Sequence, residues 1–214
     1  MRSAPFAVVI AAPSGAGKTS LARALVEADP QLEFSISATT RPRRPNEVDR
    51  RDYYFVAAAE FDRMAKSGEL VEWAEVHGRK YGTPKRSLKE PLEREKIVVL
   101  DIDVQGARQV RAAYPDVVLI FILPPSVHEL DRRLAGRGSE GSAERRTRLE
   151  TARQELAAAV DFDYIVVNDD FSRALAALQS IVTAERSRRP RYKELPEQLK
   201  EMQQQLTNLL KGRE

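Results

Sequence analysis

Short apolar runs alternate along the chain with stretches of three-to-four-residue apolar periodicity, the pattern of a parallel sheet covered by helices. The first run, residues 6–12, leads into a Gly-rich turn and a helical stretch over 20–26. Residues 33–37 read as a second strand and 53–56 as a short one. Residues 58–66 read as a helix closed by Gly68, and 70–76 with 79–82 as a hairpin turning through His77-Gly78. Thr83-Pro84 has the residue types of a helix start, Thr as cap and Pro in the first turn, with the helix reaching about Glu95. Residues 97–103 and 117–123 are near-continuous apolar runs, as strands buried on both faces are. A helix over 104–114 lies between them, and Ser126-Val-His-Glu129 forms a capping box. A further helix, a strand over 164–167 and a helix over 171–184 complete an α/β order.

Two stretches break the pattern. Residues 39–52 carry five Arg, two Pro and little apolar content, too long a segment for a simple turn. Residues 132–148 are Gly-interrupted and basic, suited to covering anions. Beyond a basic, Pro-broken segment at 186–193, Leu195, Leu199, Met202, Leu206 and Leu209 recur at steps of four and three. That spacing fits a helix packed on the body or a short seam for self-association, and two heptads do not decide between them.

Composition narrows the class. At 214 residues with 42% hydrophobic and 31% charged positions, the chain suits one α/β domain with a small insertion. The absence of cysteine excludes a disulfide framework and a thiolate metal site and fits a cytoplasmic protein. No run approaches the ~20 apolar residues that would span a bilayer. The formal charge of +3 would serve nucleic acid, but holding two polyphosphates demands surplus Arg and Lys equally.

The chemistry starts at Ala12-Pro-Ser-Gly-Ala-Gly-Lys-Thr19. A strand, a turn of small residues and Lys-Thr at a helix start make a phosphate-cradling P-loop. Ser14, Gly15, Ala16 and Gly17 let backbone N–H groups point inward, and the helix N-terminus adds positive potential. Lys18 would reach the transferable phosphates, and the Thr19 hydroxyl would ligate Mg²⁺. Ala12 stands where the full pattern has Gly, a mild departure if φ there stays negative.

Taken with the later motifs, the sequence resembles the guanylate kinases, nucleoside monophosphate kinases acting on ATP and GMP. The matching stretches include Phe34-Ser-Ile-Ser-Ala-Thr-Thr-Arg-Pro-Arg-Arg44, Asp52-Tyr-Tyr-Phe55, Tyr81-Gly-Thr83, Leu100-Asp-Ile-Asp-Val-Gln-Gly106, Gly136-Arg-Gly138 and Ile165-Val-Val-Asn-Asp-Asp170. They fall in family order over roughly residues 6–186.

The resemblance implies a P-loop core over 1–36, 84–130 and 158–190, a GMP-binding insertion over 37–83 and a lid over 131–157. The C-terminal helical extension, 191–214, lies outside it. It further implies that Ala12, Pro13, Ser14, Gly15, Ala16, Gly17, Lys18 and Thr19 hold ATP, with Arg133, Arg137, Asn168 and Asp169 beside it. Asp101 would join Thr19 at Mg²⁺, through water. Arg41, Arg44, Tyr53 and Tyr81 would clamp the GMP phosphate, and guanidinium forks suit a dianion. Glu72 and Asp103 would accept from the guanine N1–H and N2 amino group, with Ser37 and Thr83 adding hydroxyls. Lys18, Arg41, Arg137 and Arg148 would carry catalysis, the lid arginines acting as arginine fingers.

Arg43, Arg50, Arg51, Arg132, Arg145 and Arg146 read as solvated charges, and His77 and His128 as loop or surface residues. Two rivals remain: a protein-binding module of the same fold without activity, and a regulatory GTPase, for which Asp103-Val-Gln-Gly106 fits D-x-x-G while no Asn-Lys-x-Asp follows.

Overall fold

In the computed structural model, which describes residues 3–76, 78–135 and 142–211, two sheets meet along one cleft. The larger is parallel throughout. It contains β1 (Ala7–Ala11), β2 (Leu32–Phe34), β7 (Ile97–Asp101), β8 (Val118–Leu123) and β9 (Tyr164–Val167) in the order β2-β7-β1-β8-β9.

β1 is central, and all five of its residues are buried, which explains its unbroken apolar run. Val8 and Ile10 face α1 (Lys18–Glu27) and α7 (Phe171–Arg186), through Leu21, Leu25 and Leu178. Ala7 and Val9 face α3 (Arg86–Glu93) and α4 (Val104–Ala113), through Leu88, Ala107 and Val110. The alternation of β1 side chains thus builds two cores from one strand.

The smaller sheet comes from β3 (Ala38–Thr39), β4 (Tyr54–Phe55), β5 (Leu70–Val76) and β6 (Arg79–Pro84), ordered β4-β3-β6-β5. α2 (Ala58–Lys66) covers it with Phe61 and Met64 against Ala38 and Leu70. It is tied to the core by Gln109, whose side chain accepts from the Trp73 N–H at 3.1 Å and donates to its carbonyl at 2.9 Å.

Three readings of the sequence change. The run 33–37 is shorter as a strand: β2 covers Leu32–Phe34 in the large sheet, residues 35–37 lie outside any strand, and Ala38–Thr39 opens the small sheet. Thr83-Pro84 does not start a helix, because both residues complete β6, and α3 begins at Arg86 with Lys85 before it. In the capping box the Ser126 hydroxyl accepts from the Glu129 N–H at 3.1 Å, whereas the Glu129 carboxylate turns to Arg132 and Arg133.

α5 (Val127–Ala135) and α6 (Ser142–Ala157) pack through Leu130, Leu134 and Ala152. After α7, Arg191 is buried: it lies over the Phe6 ring, 3.9 Å from its centroid, and pairs with Glu185 at 3.0 Å. α8 (Leu195–Lys211) has no buried residue, and Leu199, Met202, Leu206 and Leu209 are exposed. The helix is therefore not packed on the body. Among the described residues no helix is long and apolar enough to cross a membrane.

Candidate active site

The C-terminal ends of β1 and β7 open into a cleft of about 280 Å³, where an open α/β sheet places its ligands. The phosphate loop forms one wall. Gly15 and Gly17 both have φ +89°, the left-handed conformation that glycine adopts without strain. A Cβ on Gly17 would lie 2.5 Å from the Asn168 side-chain nitrogen. Among the described residues the left-handed non-glycine positions are Arg50 and Glu95, so Ala12 keeps negative φ, and its methyl is buried.

Lys18 Nζ donates to the Ile102 carbonyl at 2.8 Å and lies 2.7 Å from Asp101 Oδ1. Burial works to lower the pKa of this ammonium, but Asp101 outweighs it and holds the value above the ordinary one. The Thr19 hydroxyl donates to Asp101 Oδ2 at 2.5 Å. Asp101 Oδ1 is buried, with Lys18 as its partner and counter-charge. A hydroxyl and a carboxylate oxygen so placed fit Mg²⁺, a hard cation usually held by few protein oxygens together with phosphates and water.

Across the cleft, β5 and β6 present Glu72 and Thr83. Thr83 Oγ1 donates to Glu72 Oε1 at 2.6 Å, and Ser37 Oγ lies 3.3 Å from Thr83 Oγ1. Glu72 is only 4% exposed. Desolvation, reinforced by Asp103, pushes its carboxyl up to about 7. Asp103 caps α4, accepting from the Gly106 N–H at 2.7 Å through one oxygen. A hydroxyl-and-carboxylate pocket of this kind can accept hydrogen bonds from ligand N–H donors.

Tyr53 and Tyr81 also line the cleft, and Arg41 sits beside them. The Arg41 guanidinium lies 5.4 Å from the Tyr53 ring centroid, and the Tyr53 and Tyr81 rings are 6.1 Å apart, edge to face. Burial raises the Tyr53 phenol above its usual pKa, with Asp101 adding to it. Arg44 is exposed; its backbone N–H, not its guanidinium, is tied into this region.

The structure redistributes the remaining candidates. The Asn168 amide donates to the Ala16 carbonyl at 2.7 Å, so it fastens the phosphate loop from behind. Asp169 pairs with Arg173 on the surface. Arg133 donates to Glu129 at 2.7 Å and reaches the Asn168 carbonyl at 3.3 Å. Arg148 is half-buried on α6. Arg137, the Gly136–Gly138 motif and His77 lie outside the described residues, as does the Arg145 side chain. Arg50, Arg51 and Arg132 are exposed, as are Arg43, Arg146 and His128.

Sequence reasoning missed Glu155. From α6 it accepts the Ser14 N–H at 3.3 Å, placing a carboxylate at the phosphate loop, and desolvation pushes it up to about 7. Its 141-residue separation from Ser14 leaves no local signal. A larger groove of about 800 Å³ on the outer side of the small sheet holds Arg63, already paired with Glu60 and Glu69, and Arg86, stacked on Tyr54.

A family model described as "Guanylate kinase" matches residues 5–185. The chain belongs to the guanylate kinase family. It is 49% identical over 185 residues to a guanylate kinase of Syntrophotalea carbinolica, covering 86% of this chain and 88% of that one. It is 45% identical over 181 residues to one from Symbiobacterium thermophilum, covering 85% and 86%. The crystal structure of guanylate kinase from Anaplasma phagocytophilum superimposes with a TM-score of 0.79 at 34% identity, covering 92% of this chain and 95% of that one. The family match ends inside α7, so α8 lies outside the matched residues.

Proposed function

We propose that the chain transfers the γ-phosphoryl group of ATP to GMP, giving ADP and GDP, with Mg²⁺ bound by Thr19 and, through water, by Asp101. The observation that carries this reading is the single cleft that joins a phosphate loop on one wall to a Glu72–Thr83–Ser37 pocket on the other. The metal, when bound, would neutralise phosphate oxygens during transfer.

The chain's own residues align and neutralise. The phosphate-loop N–H groups hold the donor, and Lys18 leaves Asp101 for the transferring group. Arg41, Arg44, Tyr53 and Tyr81 hold the acceptor phosphate, and Glu72 with Asp103 accepts from guanine. Such a hydrogen-bonded pocket can reject the wrong base by several powers of ten, because adenine offers no matching donors to the buried Glu72 and the half-buried Asp103. Arg133, Arg137 and Arg148 serve the transition state, and Asp169 the adenine side. Residues 37–83 form the acceptor module and 131–157 the lid. The reading extends to a cytoplasmic location and to self-association through the exposed α8 stripe, which sedimentation of the full chain would reveal.

A coupled assay tests it. With ATP, Mg²⁺ and GMP, ADP and GDP form in equal amounts, AMP is a poor acceptor, and EDTA abolishes turnover. Preference for AMP, or GTP hydrolysis without any acceptor, would overturn the reading. Asp101→Asn should lower kcat about a hundredfold while GMP affinity holds.

A further inference from the structure

Glu47 sits in the polar loop between β3 and β4, six residues after Arg41. Its carboxylate meets the guanidinium fork to fork: Nη2 donates to Oε1 at 2.7 Å and Nη1 to Oε2 at 3.0 Å. Oε2 also accepts the Arg44 N–H at 2.8 Å, and the Glu47 N–H returns to the Arg44 carbonyl at 3.1 Å. The carboxylate is therefore anchored independently of Arg41. Both side chains are sheltered, at 14% and 17% exposure.

A guanidinium has five N–H groups. On Arg41 both Nη1 hydrogens are used, one on the Pro42 carbonyl at 2.8 Å and one on Glu47, and Nη2 gives one more to Glu47. Nε–H and the second Nη2–H make no such bond, and the Tyr81 phenol is the neighbour that reaches this guanidinium. These two N–H groups share one edge of the plane and form a second fork, matched to two oxygens of a phosphate. The Tyr53 and Phe55 rings fix the same plane, with centroids 5.4 Å and 5.7 Å from the guanidinium carbon.

Glu47 thus does not compete for the edge a phosphate would use. An arginine held in one rotamer before the ligand arrives loses less entropy on clamping it. The Glu47 charge is matched by Arg41 and by a backbone donor, so it adds little repulsion.

We propose that Glu47 is a positioning residue for the acceptor: it holds Arg41 with its Nε–Nη2 edge open to the GMP phosphate, and so sets affinity for the monophosphate without touching it. This rests on the reading of Arg41 as part of the acceptor clamp.

Calorimetric titration of GMP and of guanosine, which keeps the base and lacks the phosphate, tests it on the full chain. Glu47→Gln should weaken GMP by about tenfold and leave guanosine within about twofold. In steady state the loss appears in KM for GMP, with KM for ATP unchanged and kcat at saturating GMP largely kept. In a double variant, Glu47→Gln should add nothing to Arg41→Ala. If Glu47→Gln binds GMP more tightly, the carboxylate is a competitor and the inference fails. Equal losses for GMP and guanosine, or additive losses in the double variant, also overturn it. Unchanged GMP affinity in Arg41→Ala would sink the underlying clamp reading. A loss in Arg41→Ala with none in Glu47→Gln sinks this inference alone. Should Glu47→Gln not fold, Glu47→Asp gives the same comparison, since its shorter side chain cannot span both nitrogens.

Discussion

Glu72 shows how burial, with Asp103 beside it, tunes a carboxyl in the cleft. Its carboxyl stands at about 7 in the free protein because desolvation outweighs the Thr83 hydrogen bond. A folded-state value above the unfolded one means that the fold holds a proton the unfolded chain has released. The stability from this group is full below about 4.5 and is lost as pH rises through about 7. Thermal unfolding of the free protein between about pH 5 and 8 should therefore show a decline that Glu72→Gln reduces, Glu155 supplying the rest. On the proposed reading guanine is held by the ionised form, so guanosine affinity should rise through the same interval and become flat in the Gln variant. Guanosine is the right probe, because the GMP phosphate itself titrates near 6.

Gly106 offers a second test at this scale. A Cβ there would lie 2.6 Å from Glu72 Oε2, while Thr83 pins the other oxygen. Gly106→Ala should cost about tenfold in GMP affinity by titration, with ATP affinity kept, although alanine favours the helix by about 1 kcal/mol. A variant with normal GMP affinity would show that Glu72 moves freely. The phosphate loop was legible because its residues are consecutive. Glu155 and Glu47 were not: one arrives across the fold, and the other lies in a charged run whose members differ only in partner. The Asn168 amide is spoken for by a carbonyl that no local pattern announces.

Among the elements, β1, β7 and β8 were readable because burial on both faces erases alternation, whereas β9 buries Val166 and exposes Ile165 and Val167. The small sheet was harder. β3 is two residues long and is defined by its partners, so the run before it looked continuous with β2. Thr-Pro has the same residue types at a strand end as at a helix start, and here pairing with β5 decided.

The tail separates into two parts with opposite consequences. Truncation after Lys193 removes α8, which buries nothing, and should leave the unfolding midpoint and turnover unchanged. Truncation after Ser187 also removes Arg191 and exposes Phe6, leaving Glu185, 1% exposed, without its buried partner. Breaking such a pair costs about 3 kcal/mol, visible as a lower denaturation midpoint. Equal midpoints for the two truncations would show that Arg191 contributes nothing.

At the scale of the molecule, two sheets with separate cores share one cleft, bridged by Arg23–Asp52 at 2.6 Å and by the Gln109–Trp73 hydrogen bonds. A ligand joining adenosine to guanosine through a chain of phosphates should bind both walls at once. At about 100 times its Kd it should add about 2.7 kcal/mol of stability, or about 5–10 °C in Tm. At equal concentration, ATP or GMP alone should give less. A shift no larger than that of ATP would mean that the two walls are occupied independently.

The division into two sheets also bears on redesign. Ser37, Glu72 and Thr83 travel together with the small sheet, so on the proposed reading transplanting residues 37–84 onto another phosphate-loop scaffold would move most of the base preference in one piece. Asp103 would stay behind, because it belongs to the core as the cap of α4. A chimaera built at those joints would inherit three contacts and borrow the fourth from its host, and position 103 is where its choice of acceptor would have to be rewritten.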